Sequence, residues 1–176
     1  FNFIIAIGGG NPWVVFNVAP DANSLSLSRA NSSAGTPGFY QFSNPALLYK
    51  TKKLDIGMTY NAMQLDRSNQ VISLNVALPP QAGVGLSIFR SGTSNIIGRD
   101  GNNNNIGEFD NHEILGMISF GVSFSKYISV GINIKASHSN LDNIFGDDNE
   151  GNYSAGNTGI GFDGGLLINY PKLYLG

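Results

Sequence analysis

The chain has 176 residues, of which only 12% are charged, about half the roughly 25% expected of a soluble domain. A formal net charge of -2 gives no basic field for nucleic acid, and the absence of cysteine excludes a disulfide framework and thiolate metal sites without fixing the compartment. The 23 glycines, set with abundant Asn and Ser among 41% hydrophobic residues, are the mixture that arises where apolar and small polar residues interleave, as they do in β-structure.

The first ten residues, FNFIIAIGGG, read either as the tail of a secretory signal or as a first buried strand. No uninterrupted apolar run approaches the ~20 residues a membrane helix needs, so a helical membrane protein is excluded. The chain begins at Phe1 and stops in YPKLYLG, which reads as a turn and the start of a further strand, so both ends are expected to be cut. Residues 16–48, FNVAPDANSLSLSRANSSAGTPGFYQFSNPALL, carry almost no charge and read as neither helix nor regular strand. Pro20 and Pro45 each remove a ladder donor, while Asp, Asn and Ser side chains offer local hydrogen bonds to backbone in place of ladders. Asn44 is expected to cap a turn through its side chain. Pro45, which fixes its own φ and disfavours the α region for Asn44, is expected to fix the handover to the first strand. Trp13, Phe16, Phe39, Tyr40 and Phe42 make the segment too aromatic for a disordered linker.

From Lys53 onward the sequence falls into runs of about ten residues with period-two alternation, the length and pattern of a tilted strand crossing a bilayer. Expected strands cover 53–63, 70–78, 83–89, 113–125, 128–137 and 159–170, and a seventh begins at Lys172. The fifth is the cleanest: Ile128, Val130, Ile132, Ile134 and Ala136 alternate with Ser129, Gly131, Asn133, Lys135 and Ser137. In a soluble sheet the polar face carries Lys, Glu, Arg and Thr; here it carries Gly, Ser and Asn. The charges within strands, Asp55, Lys135 and Asp163, all fall on that polar parity, as expected if the other face meets lipid, where a midplane charge costs about 2–4 kcal/mol. Arg90 breaks the parity and is expected at a strand end beside a loop, where that cost vanishes.

The connections alternate in length. PPQAG, SKY and YPK are short, whereas LDRSN, SGTSNIIGRDGNNNNIGEFDNHE and SNLDNIFGDDNEGNYSAGN are longer and polar, as expected of periplasmic turns and extracellular loops. The fold class is therefore all-β: an antiparallel transmembrane β-barrel, partial, with six to seven strands present. Residues 53–176 would form its N-terminal part, since so few strands would leave a free edge in lipid.

VAPDANSLSLSRANSSA followed by FSNPALL resembles the N-terminal signature of the PorV/PorQ family of Bacteroidetes-type outer-membrane barrels, related to the FadL fatty-acid transporter fold. Ala19, Pro20, Asp21, Ala22 and Ser24, then Asn44, Pro45 and Ala46, carry the resemblance. GEF at Gly107 to Phe109, FGVSFSKYISVGINIKASHSNLD and GGLLINYPKLYLG follow in matching order. The chain departs from the family in LSLSRANSS, which lacks the usual glycine cluster. The resemblance implies a bacterial outer-membrane location and a plug-like segment over residues 1–52, folded into or across the periplasmic mouth, with Pro20, Asp21, Asn44 and Pro45 at the plug and its hinge.

Other motifs carry little chemistry. GIGFDG, Gly159 to Gly164, fits a dinucleotide fingerprint but lies within an alternating strand with no helix after it. DGNNNNIGE, Asp100 to Glu108, has Asn105 where a calcium loop needs glycine, and reads as a polar surface loop. Asp142, Asp147, Asp148 and Glu150 read as a solvated acidic tip, and His112 and His138 lack ligand partners at metal spacing. No nucleophile, base and orienter set assembles, so no catalytic residue, metal site or cofactor is expected and the protein is read as a non-enzyme. Two functions follow from the resemblance. One is a component of a type IX-like secretion system that handles cargo or secretion-system proteins at the cell surface. The other is a FadL-like channel for uptake of a hydrophobic ligand or lipid. The polar inner face and the apolar residues in the long loops, Ile96, Ile97, Ile106, Phe109, Ile144, Phe145 and Tyr153, favour the first, with Ile106, Phe109, Ile144, Phe145 and Tyr153 as the expected partner anchors. A soluble β-sandwich adhesin is the third possibility.

Overall fold

The computed structural model describes residues 19–99, 101–144 and 153–169. The proposed signal remnant, Trp13, Phe16, Phe145, Asp147, Asp148, Glu150 and the strand expected from Lys172 lie outside the described residues. Among the described residues no helix is long and apolar enough to cross a membrane.

Six strands form one antiparallel sheet in sequence order: β1 (Leu54–Met63), β2 (Arg67–Leu78), β3 (Ala82–Arg99), β4 (Asn105–Ser123), β5 (Ile128–Ile144) and β6 (Tyr153–Ile168). Strands consecutive in sequence are antiparallel neighbours throughout. The sheet is all-β and antiparallel, but it is not closed: among the described residues β1 and β6 each pair on one side only.

The strand starts and ends near the short turns agree with the alternation read from sequence. At the opposite end they do not. β3 continues ten residues past Phe89 to Arg99, β4 begins at Asn105, β5 runs to Ile144 and β6 begins at Tyr153. The polar stretches expected as long loops are thus mostly β-ribbon. Hairpin ladders need only backbone donors and acceptors, so they persist where both faces are wet and the period-two signal has faded. Arg90 is corrected accordingly: it lies within β3, paired with Gln70 and Ile114.

The two faces of the sheet are buried in the inverse of the usual order. The small polar face is covered: Ser73, Asn75, Ser119 and Asn133 are at most 2% exposed. The apolar face is bare: Ile56 is 68% exposed, Ile118 63% and Phe162 75%. Bare apolar residues line up across strands, as in the row Ile56, Leu74, Leu86, Ile118, Ile134 and Phe162.

The cover comes from the segment before β1. Where the sequence suggested neither helix nor strand, three short helical turns form: α1 (Ala22–Ser26), α2 (Tyr40–Ser43) and a 3₁₀ helix over Pro45–Lys50. The two apolar clusters both join this segment to the covered face. Tyr40, Ala46, Leu47 and Leu48 gather with Leu167, and Phe39 gathers with Val71, Phe89 and Leu115, with Phe42 packed beside it.

Candidate functional site

The covered face is built differently at its two ends. Near the short turns lies a row of four glycines contributed by successive strands: Gly83 opposes Gly121, Gly121 opposes Gly131, and Gly131 opposes Gly165. The 3₁₀ helix lies directly on this row. A Cβ at Gly83 would sit 2.3 Å from the Leu48 carbonyl oxygen, at Gly121 2.3 Å from that of Pro45, and at Gly131 2.4 Å from the Pro45 carbonyl carbon. At Gly165 it would meet the Asn44 side chain at 2.1 Å. Only glycine lets two backbones approach this closely.

In the next row, Asn75, Gly85, Ser119, Asn133 and Asp163, the last two make polar contacts, while the buried side-chain polar atoms of Asn75 and Ser119 have no hydrogen-bond partner; Ser73 and Ser87 stand in the row beyond. Gln41 Nε2 donates to Ser73 Oγ and Ser87 Oγ, and the Gln41 carbonyl accepts from Asn133 Nδ2 at 3.0 Å. Asn133 also donates to Asp163 Oδ2 at 3.0 Å, and the same oxygen pairs with Lys135 Nζ at 2.5 Å. Small hydroxyl and amide side chains suit this layer because each is short enough to leave room for α2 yet can answer its polar atoms.

Asn44 has extended backbone, φ -163° and ψ 117°, and its Oδ1 accepts from Ala46 N at 2.9 Å with Pro45 at the first helical position. Its Nδ2 donates to the Leu166 carbonyl of β6 at 3.1 Å. Asp21 caps α1, accepting from Ser24 N at 3.3 Å, from Ser24 Oγ, and from Thr36 Oγ1 at 2.8 Å; Asn31 Nδ2 donates in turn to Ser24 Oγ at 2.7 Å. Pro20, immediately before this cap, is buried.

At the long-ribbon end the covered face holds a cavity of about 460 Å³ between the β1–β2 hairpin, β3 and β4. A bulge in β3 between Thr93 and Ile96 shapes it. The bulge is tied to the hairpin: Ser94 N donates to the Asp66 carbonyl at 3.1 Å, and Asn95, with φ +57°, donates through Nδ2 to Asp66 Oδ2 at 3.0 Å. Asn95 N donates to Asp110 Oδ1 at 3.2 Å, which ties β4 to the same corner. Bulges re-aim side chains and recur beside functional sites.

The expected partner anchors fall on two ribbons. Ile106 and Phe109 lie in β4, where Phe109 is the backbone partner of Ile96. Ile144 ends β5 and pairs with Tyr153, the first residue of β6. They are strand residues and not loop residues, and the ladder between β4 and β5 ends at Asp110 and Asp142, short of joining the two pairs. GIGFDG lies within β6, and Gly101 and Asn102 form the turn at the tip of the β3–β4 ribbon. Among the described residues no three His, Asp or Glu side chains gather within reach of one metal ion.

Sequence reasoning missed the glycine row, Gln41, and the cavity residues Leu65, Arg67 and Glu113. A signal for the first existed: Gly121 and Gly131 are equidistant from Lys126 in the short turn, so a tight hairpin must bring them opposite. No such symmetry marks the cavity, which depends on a bulge. No protein-family model, curated protein or solved structure matches the chain.

Proposed function

We propose that the six strands are part of the wall of a β-barrel in a bacterial outer membrane, with residues 19–52 lodged inside its periplasmic mouth, and that the protein is of PorV/PorQ-like type, handling secreted cargo at the cell surface. The observation that carries the reading is the inverted burial of the sheet. Each large apolar side chain kept in water forgoes about 1.5–3 kcal/mol, so a band of this size rivals the whole net stability of a domain, about 5–15 kcal/mol. Facing hydrocarbon, the same surface carries no such cost.

Three further features support the membrane reading. On β5 the bare apolar run, Ile128 to Ala136, is nine residues long, at the short end of the about 9–11 that a tilted strand needs. Its far rim is the cross-strand row Tyr60, Gln70, Arg90, Ile114, His138 and Thr158, so Arg90 lies at the border of the band. Phe124 and Tyr127, 72% and 50% exposed, stand at the short-turn border, where aromatic girdles of barrels lie. Cysteine labelling tests the reading. Ile132→Cys should resist a membrane-impermeant maleimide in intact membranes and react with a lipid-phase reagent; ready labelling by the impermeant reagent would contradict it.

The cargo-handling part is supported by the ribbons that outrun the apolar band, with Ile96 and Phe109 on one and Ile144 and Tyr153 on the other. Ile144→Ser with Tyr153→Ser should leave the barrel assembled and weaken surface delivery of cargo about tenfold or more. A second reading, a channel for hydrophobic small molecules, is favoured by the apolar cluster of Phe39, Val71, Phe89 and Leu115 on the inner face. Normal cargo delivery with lost fatty-acid uptake in that double mutant would leave the channel reading standing alone.

A further inference from the structure

The cavity at the long-ribbon end keeps two opposite charges apart and unpaired. Glu113 is 8% exposed; its carboxylate accepts a hydrogen bond from the Asn111 side chain, while Oε2 has no partner. Arg67 stands on the other wall, exposed, with Thr93 and Asn111 in its cross-strand row. β3 separates them, so their backbones are two interstrand spacings and one pleat apart, on the order of 12 Å. No ion pair joins the two side chains. A buried carboxylate oxygen without a donor has lost its hydration with nothing in return, so retaining it on a cavity wall argues for a ligand that supplies the donor.

The rest of the lining limits what that ligand is. Ser91 and Thr93 offer hydroxyls between the charges, and Leu65 and Ile96 offer apolar surface at the mouth. Leu65 does so from left-handed backbone, φ +63°, a conformation that costs a bulky residue energy and that clusters at ligand sites. Beside Ser91, in the row that also contains Glu113, Asn69 is 2% exposed with neither side-chain amide atom bonded. A single carboxylate is too little for a cation site, and a fatty acid would satisfy Arg67 while leaving Glu113 unanswered.

We propose that this cavity binds a small zwitterion, a free amino acid or dipeptide with an apolar side chain, its ammonium on Glu113 Oε2 and its carboxylate on Arg67. The site is made by β1 to β4 alone, so it stands or falls separately from the membrane reading. Calorimetry on the purified full chain in detergent tests it, with leucine and alanyl-leucine as probes. N-acetyl-leucine, leucine amide and decanoate are the controls.

At least one zwitterion should bind about tenfold or more tightly than either blocked analogue and decanoate. Glu113→Gln should weaken zwitterion binding about tenfold and leave N-acetyl-leucine unchanged, whereas Arg67→Gln should weaken the zwitterion and leave leucine amide unchanged. Because Glu113 is buried and its variant can fail to fold, exposed Arg67 provides the independent arm. Equal binding of blocked and free ligands, preference for decanoate, or no zwitterion binding up to about 10 mM would overturn the proposal.

Discussion

The two ends of the covered face solve opposite problems. At the short-turn end the sheet is stripped to glycine so that another stretch of backbone can lie against it, and hydrogen bonds cross the contact from Gln41 to Ser73 and Ser87, from Asn44 to the Leu166 carbonyl and from Asn133 to the Gln41 carbonyl. At the long-ribbon end the same face opens on a cavity, with Glu113 Oε2 on its wall and the Asn69 side-chain amide beside it, both without a hydrogen-bond partner. Buried side-chain atoms without a hydrogen-bond partner occur at both ends, at Asn75, Ser119 and Ser129 as well as at Asn69 and Glu113, but those of the long-ribbon end border a cavity. The seat of the segment and the proposed ligand cavity are thus segregated along the strands, with the Phe39, Val71, Phe89 and Leu115 cluster between them. Substitutions should separate in the same way.

The largest effect is expected at the glycine row. Gly131→Leu places a branched side chain where the Pro45 carbonyl carbon is already 2.4 Å from the position of a Cβ, and the obstacle is backbone, which cannot rotate aside. Overpacking typically costs about 1–3 kcal/mol, and more where nothing yields. The 3₁₀ helix should lift, and residues 19–52 should become sensitive to limited proteolysis while the β5–β6 hairpin persists. Unchanged protease resistance would mean that the segment is not seated on this row in solution. The leucine-binding assay should be affected little, because the cavity lies several rows away.

Next comes the polar layer. Gln41→Ala removes the donor to Ser73 and Ser87, both about 1% exposed. Leaving two buried hydroxyls with fewer partners should lower the urea midpoint by an amount corresponding to about 1–3 kcal/mol. Gln41→Glu should be worse, since it adds a buried charge beside acceptor oxygens. Equal stability of all three proteins would remove Gln41 from the account.

This ordering also shows what could be read in advance. Parity was legible because each strand alternates large apolar with small polar residues over its run: Ile132 and Asn133 announce their sides by chemistry alone. Strand length was not. Past Phe89 the sequence RSGTSNIIGR has no alternation to read, yet the ladder runs on to Arg99 because backbone pairing does not need it. The helical turns of the first segment were hidden for a related reason. α2 and the 3₁₀ helix are only 4 and 6 residues long, too short for a period to declare itself, and they are held by contacts to strands far along the chain. Asn44 reaches Leu166, and Asn133 reaches Gln41, across distances in sequence that no local pattern encodes. The cavity was hardest to anticipate: LDRSN was legible as a connection, but the left-handed backbone at Leu65 and Asp66 and the bulge at Ser94 and Asn95 were not.

A smaller effect is expected where the segment hands over to β1. Asn44→Ala loses the cap on Ala46 N and the bond to Leu166, and capping losses run at about 0.5–2 kcal/mol. Pro45→Ala should cost less, since the 3₁₀ turn retains its cap and loses only the restriction on φ. Urea unfolding and protease resistance of residues 19–52 measure both. If Pro45→Ala proved the more damaging of the two, the handover would depend on backbone restriction and not on the Asn44 side chain.

The smallest effect should come from the most conspicuous interaction. Lys135 and Asp163 form the only ion pair among the described residues, at 2.5 Å, but their side chains are 26% and 41% exposed. An ion pair so open to solvent contributes about 0–1 kcal/mol, and less as salt is raised. Asp163 has a second task, accepting from Asn133, whose amide also holds the Gln41 carbonyl. Lys135→Gln removes only the charge pair, whereas Asp163→Ala also strips an acceptor from a buried amide. The lysine variant should therefore unfold within about 1 kcal/mol of the parent, and its deficit should shrink as salt rises. The Asp163→Ala variant should lose more, and its excess over the lysine variant should not change with salt, because what it lacks in addition is a hydrogen bond in the layer beneath α2. If the two variants were equal and equally salt-sensitive, the ion pair would be fastening the segment, and the short-turn end would owe its stability to charge instead of to the close fit of backbone on glycine.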